Sequence, residues 1–205
     1  MVLPLKESPP SVDATSRVEV ASSGYWYSVL SPDHRRVFAY FTDSDLLATG
    51  EIRDPGFFFR ELEQTSEVGS LLDECRIEAR PAETGGCAKG QWARPRVRPA
   101  SSSRRRRMVG DGWYALGDAA MTFDPICSQG IYTAMRLGLE AARTIEKGSR
   151  QAVDRFQAYA DQTWNRYLFS LGECYFTAEP RCTSKSEAEF WHRRRLENIN
   201  RWVTA

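Results

Sequence analysis

The most constraining stretch of the chain runs from Gly110 to Lys147, GDGWYALGDAAMTFDPICSQGIYTAMRLGLEAARTIEK. Its short apolar run, Trp113 to Leu116, reads as a buried strand. The pair Gly117-Asp118 breaks that run, an irregular loop with Pro125 and Gly130 follows, and an amphipathic helix rich in small residues begins near Ile131. Strand, glycine turn and helix start, in that order, leave unpaired backbone N–H groups pointing outward at one place, which suits a phosphate or another anion. Asp118 at the strand's end adds an acceptor for ribose-like hydroxyls. Such a unit puts a ligand at the carboxyl end of a strand and leaves the ligand's identity open.

The helix repeats apolar or small residues at 131, 134, 135, 138, 141, 142 and 145, one face at helical spacing. Ala134, Gly138 and Ala142 on that face allow close approach to a strand or to a cofactor. Gly148 is placed to end the helix, with Lys147 favourably sited in its last turn. A second helix is expected from about Gln151 to Phe176, its stripe of Phe156, Trp164, Tyr167, Leu171 and Tyr175 reading as core.

Ahead of this unit, residues 1–16 are polar and carry three prolines, which predicts a disordered leader. Gly24 to Leu30 and Arg36 to Phe41 are aromatic and β-branched, and Ser31-Pro32-Asp33-His34 supplies turn chemistry between them, so the two runs form an antiparallel hairpin. Thr42-Asp43-Ser44 caps a short helical turn through Leu47. Asp54-Pro55 starts a helix with Asp at the N-cap and Pro in the first turn, and Phe57, Phe58 and Leu62 give it an apolar face. Val68 to Cys75 continues as a short helical segment.

Composition narrows the classes. With 28 basic and 27 acidic side chains the chain is close to neutral, and no apolar run approaches the length of a transmembrane helix. Seven arginines fall between Arg94 and Arg107, which permits nucleic-acid binding, but no aromatic pattern of an RNA-binding fold accompanies them. No nucleic-acid or membrane partner is therefore expected. The five cysteines show no metal-ligand spacing, and their odd number, without a secretory signal, points to a reducing cytoplasm.

The segment GDAAMTFDPICSQGI resembles the second flavin-contacting motif of FAD-dependent monooxygenases of the aromatic-hydroxylase and tryptophan-halogenase-like superfamily. The similarity runs from about Arg17 to Arg195 and is greatest to the branch that oxidises peptidyl tryptophan during quinone-cofactor maturation. The resemblance implies an α+β (partial α/β) fold, the back half of a FAD-dependent monooxygenase: an antiparallel substrate-domain sheet over residues 17–99, the strand, loop and helix that close the FAD site over 100–148, and a C-terminal helix and tail over 149–205. It makes Asp118 the ribityl ligand of FAD and sets Asp124, Pro125, Ser128, Gln129, Gly130 and Ile131 in the loop beside the flavin. The hairpin then belongs to the substrate-binding sheet, where Trp26 and Tyr27 are candidate contacts to an aromatic or peptidyl-tryptophan substrate; core packing is the alternative. In such enzymes reduced FAD and oxygen hydroxylate an electron-rich ring, and the halogenases divert the same chemistry to make hypohalous acid. The loop here matches the halide-side motif only loosely, which favours hydroxylation.

The family begins with a Rossmann unit whose GxGxxG turn holds the pyrophosphate, and this sequence contains no GxGxxG. A flavin-site core without that unit is expected to show one unsatisfied face. Two readings follow: a flavoenzyme part that works with a complementary GxGxxG-containing half or as a homodimer, or a non-catalytic truncated homologue serving as a scaffold or partner-binding module.

Overall fold

The alternation of apolar and polar residues on either side of Ser31-Pro32 does produce a hairpin: β3 (Gly24–Leu30) pairs antiparallel with β4 (Arg35–Phe41), with Trp26 opposite Tyr40 and Ser28 opposite Phe38. The structure, a computed structural model, describes residues 1–6, 13–48, 51–75, 95–178 and 189–194. They fall into two units, Met1–Arg98 with Glu179–His192, and Pro99–Ala178 with Arg193–Ala205.

In unit 1, β2 (Arg17–Ala21) joins the free edge of β3 and β1 (Val2–Pro4) joins that of β4, giving the order β1-β4-β3-β2. The expected disordered leader is overturned where it is described. Leu3 and Leu5 are buried, and Leu3 sits opposite Arg36. A three-residue strand is too short to announce itself by periodicity; it exists because β4 offers an unpaired edge.

Register explains the core. Residues of one parity (Leu3, Trp26, Phe38 and, at the edge, Tyr40) share a face of the sheet. Onto it pack Phe58, Phe59 and Leu62 of α1 (Pro55–Glu63), Val68 of α2 (Glu67–Ser70), and Leu71 and Leu72 of the 3-10 turn Leu71–Glu74. The Asp54 carboxylate caps α1 by accepting from Gly56 N and Phe57 N. On the other face Tyr25 stacks on Phe41 at 4.7 Å between ring centroids and meets the edge of Phe190 in α5 (Glu189–Arg193), whose Trp191 donates from Nε1 to the Ala21 carbonyl at 2.8 Å. The helix start expected over residues 42–47 stops at a single hydrogen-bonded turn, with Leu46 N donating to Asp43 O.

The same parity brings two charges to the core-side face. Arg36 is fully buried and donates through Nη2 to Glu74 Oε2 at 2.9 Å and to the Asp13 carbonyl. The Glu19 carboxylate accepts from the N–H groups of Ser66, Glu67 and Val68 at 2.7, 2.9 and 2.7 Å, so one side chain satisfies the start of α2. Burial works to raise the Glu19 carboxyl, but hydrogen bonds from Val68, Ser66 and Glu67 outweigh it and hold the group below the ordinary glutamate value. A carboxylate with a lower pKa folded than unfolded adds stability at neutral pH that fades as pH falls through the folded value. We expect Glu19→Gln, which does not titrate, to flatten the fall in urea midpoint between about pH 6 and pH 3. Parallel profiles for wild type and variant would remove Glu19 from this role.

Unit 2 is built on two helices, α3 (Gly130–Lys147) and α4 (Arg150–Thr177), joined by Gly148 in the left-handed region (φ 60°) and by Ser149, which caps α4 through Ala152 N. Two small antiparallel pairs lead into them: β5 (Ser103–Arg104) with β8 (Met121–Thr122), and β6 (Val109–Gly110) with β7 (Trp113–Tyr114). The run read as a buried strand is thus the second arm of a two-residue hairpin, and its Trp113 is exposed. The Asp111-Gly112 turn, with Gly112 at φ 73°, reverses the chain just before Trp113 and leaves too short an arm to be covered on both faces. Among the described residues no helix is long and apolar enough to cross a membrane.

Candidate cofactor site

The Gly117-Asp118 pair opens a 3-10 turn, Gly117–Ala119. Gly117 takes φ 54°, which disfavours any residue with a Cβ, and a Cβ added there would lie 3.4 Å from the Ala134 methyl. The small residue at 134 therefore lets the turn sit against the first turns of α3. From this turn Asp118 projects into solvent, and among the described residues its carboxylate has no hydrogen bond or ion pair. Two donors from Arg105 hold the turn from behind: its N–H reaches Ala120 O and its Nε reaches Ala119 O, both at 2.8 Å. The arginine run gave no hint of this tie. Its neighbour Arg104 pairs with Asp161 at 3.0 Å and lies over the Trp164 ring.

The loop that follows is shaped from within and gripped from α4. Asp124 starts the 3-10 turn Pro125–Cys127, with Oδ1 accepting from Ile126 N at 3.1 Å. The Tyr175 hydroxyl donates to Oδ2 at 2.6 Å, and Asp124 N donates to the Tyr167 hydroxyl at 2.8 Å, an oxygen also hydrogen-bonded by Ser102. Burial pushes the Tyr167 phenol up to about 12 and, with the Asp124 carboxylate adding to it, drives Tyr175 well above the ordinary tyrosine value, so both stay protonated. Asp124 thus directs its carboxylate into the loop's own framework, and Tyr167 and Tyr175 hold the candidate loop where the sequence places them only in a core stripe. Nothing local signals them, because their partner lies more than forty residues away in the chain. Ser128 closes the turn in the left-handed region (φ 50°), and Gln129 leads into α3 without capping it through its side chain.

Gly130 and Ile131 open α3. Gly130 has ordinary helical backbone, and an added Cβ would meet nothing within 4 Å. Neither the turn nor any described neighbour calls for glycine there. The apolar face read at 131, 134, 135, 138, 141, 142 and 145 mostly points outward: Ile131 is 81%, Met135 71% and Ile145 62% exposed. The buried line is Thr133, Leu137, Ala141 and Thr144, on the side that packs against α4. Helical periodicity found an apolar face correctly but could not see that α3 has two, of which α4 covers one.

Of the two aromatic candidates in unit 1, Trp26 is fully buried between Tyr40 and Phe58, with ring centroids at 4.7 and 4.8 Å. Tyr27 lies on the opposite face of β3 and is half-buried. Among the described residues no group of His, Cys, Asp and Glu side chains could hold a metal ion.

The glycine-aspartate turn, with its free carboxylate, is set against the start of α3, and open space lies over that helix's first glycine. No family model matches the chain. It is 26% identical over 181 residues to LodB of Marinomonas mediterranea, assigned as a FAD-dependent oxidoreductase; the match takes in 87% of this chain and 44% of LodB. Among solved structures, the peptidyl tryptophan dihydroxylase QhpG, essential for tryptophylquinone cofactor biogenesis, superposes with a TM-score of 0.68 at 20% identity, over 94% of this chain and 42% of QhpG. The flavin-dependent halogenase CmlS gives 0.57 at 19% identity, over 98% of this chain and 36% of CmlS. The chain resembles the C-terminal portion of FAD-dependent monooxygenases of the aromatic-hydroxylase and tryptophan-halogenase-like superfamily. It spans less than half the length of these relatives.

Proposed function

We propose that the chain is the substrate-side and flavin-closing part of a FAD-dependent oxidoreductase of the aromatic-ring monooxygenase type, and that it turns over only with a GxGxxG-containing dinucleotide unit. The observation that carries this reading is the outward apolar face of α3, which begins at the candidate flavin loop and finds no cover among the described residues. The local chemistry fits FAD. The Asp118 carboxylate is free to accept from a ribityl hydroxyl, Gly130 leaves room for a flat ring to approach the backbone, and the uncapped start of α3 offers N–H groups to an anionic flavin edge. Pro125, Ser128, Gln129 and Ile131 shape that edge, and Asp124 holds the loop in place. Bound FAD would supply the redox chemistry, while the protein supplies position and electrostatics. Tyr27, half-exposed where Trp26 is buried, is the better candidate to touch an aromatic or peptidyl-tryptophan substrate.

Flavin fluorescence titration tests the reading. We expect the chain alone to bind FAD weakly, because the pyrophosphate cradle lies outside it, and to bind well once combined with a GxGxxG unit taken from a relative. In that complex Asp118→Ala should weaken FAD by about 1–3 kcal/mol, roughly 5- to 150-fold, by leaving a buried hydroxyl without its charged acceptor. The melting temperature of the isolated chain should not move, since the side chain has no partner there. Unchanged affinity in the variant would sink the cofactor assignment and leave the scaffold reading in its place.

A further inference from the structure

α3 and α4 turn back on each other through Gly148 and Ser149, and their facing sides repeat at helical spacing. Glu140, Arg143 and Lys147 of α3 and Arg155, Phe156 and Tyr159 of α4 line a cleft of about 100 Å³ between them. Its floor is closed. Phe156 is buried, and the buried Thr144 spends its hydroxyl on the Glu140 carbonyl at 2.7 Å. The rim is cationic. Arg143 donates to Glu140 Oε1 at 2.7 Å and so occupies the one carboxylate there. Among the described residues Lys147 and Arg155 have no hydrogen bond or ion pair. Arg136 stands next to the rim and donates from Nε to the Tyr159 hydroxyl at 3.3 Å, which leaves that hydroxyl's own proton free to donate. The last turn of α3 and the first turn of α4 meet at this end with opposite dipoles that largely offset, so the side chains decide the field.

We propose that this cleft is a binding site for a phosphate group, either free or carried as the monoester of a small molecule. Three cations against one carboxylate leave the lining a net charge of +2, which matches the roughly −1.5 to −2 of such a group at neutral pH. Lys147 and Arg155 supply donors from the two helices, and Tyr159 adds a neutral one. Room agrees with charge. At about 30 Å³ per water, the cleft holds about three waters or one phosphate group. Along α3, its residues lie ten to seventeen positions beyond Gly130, about 15 to 25 Å from the candidate cofactor loop. The site is therefore separate from the flavin reading and does not rest on it.

The test is calorimetric titration of the full chain with inorganic phosphate and, in a second arm, with glycerol 3-phosphate, both in a chloride buffer at constant ionic strength. The expected result is saturable binding of one ligand per chain. Lys147→Gln and Arg155→Gln should each weaken it about 5-fold and together about 25-fold, as for exposed charges acting independently. Arg166→Gln, an exposed arginine of α4 outside the cleft, should leave it unchanged, and all variants should keep the wild-type melting temperature. The arm that binds more tightly identifies whether the free ion or the ester is the ligand. Absence of saturable binding in both arms overturns the proposal. So does a loss in Arg166→Gln equal to that in the cleft variants, which would reduce the effect to net charge.

Discussion

A glutamate at position 135 will abolish assembly of the chain with its GxGxxG unit while leaving the chain itself folded. Met135 stands in the middle of the outward face of α3, between Ile131 and Leu139. In the isolated chain that position is largely solvated, so Met135→Glu exchanges an exposed apolar side chain for an exposed charge and should leave the melting temperature unchanged or slightly higher. In the assembly the same carboxylate would be buried without a partner, at a cost of about 3–5 kcal/mol, or a loss of affinity between roughly 100- and 5000-fold. Gly138, where an added Cβ meets only open space, and the half-buried Ala134 keep the centre of the face low, so a partner's backbone can approach. Binding of the variant and of wild type to the same immobilised GxGxxG unit measures the difference. Equal affinity would mean that α3 docks nothing, and the proposed division of the flavin site would fall with it.

Trp26→Ala is the second large effect, and it falls on stability. The indole is fully buried, stacked on Tyr40 and met edge-on by Phe58, at the centre of the unit 1 core. Truncating it leaves a cavity the size of two rings, costing about 3–5 kcal/mol, a large share of the stability of an ordinary domain. Chemical denaturation followed by circular dichroism should show unit 1 unfolding at much lower denaturant. Trp26→Phe refines the test. The indole Nε1 is buried with no hydrogen-bond partner, so phenylalanine retains most of the packing and removes an orphaned donor, and the loss should stay below about 1.5 kcal/mol. If alanine is tolerated at this position, Trp26 is not a core residue and its candidacy as a substrate contact revives.

What the sequence revealed and what it hid divide along the range of the interactions involved. The β3–β4 hairpin, the Asp54-Pro55 helix start and the Gly148 stop are written within a few residues of one another, because alternation, capping and glycine conformation are local requirements. The glycine-aspartate turn belongs with them, since Gly117 needs its left-handed backbone whatever surrounds it. β1 leaves no mark in the sequence because a three-residue strand is a property of the edge it joins. Tyr167 and Tyr175 read as core because their spacing on α4 is that of core residues; only the position of Asp124, set by the intervening chain, gives their hydroxyls a second task. The apolar pattern of α3 was legible, but its direction was not: periodicity reports that a face wants cover and carries no information on which neighbour provides it.

Ser128 gives the grip of α4 on the preceding loop a mechanical meaning. A non-glycine residue in left-handed backbone costs on the order of 1–2 kcal/mol, and here it stands one residue beyond the last turn of a clamped loop. The tyrosine hydroxyls on Asp124 restrain a small spring whose free end is the start of α3. Fraying of the C-terminal half of α4 would release Asp124 first and let Ser128 relax to an extended conformation, swinging Gln129 and Gly130 away from the glycine-aspartate turn. The shape of this loop is therefore a cooperative property of a helix whose last turns lie about fifty residues downstream, and amide exchange at Asp124 is the place where loss of that helix would first be read.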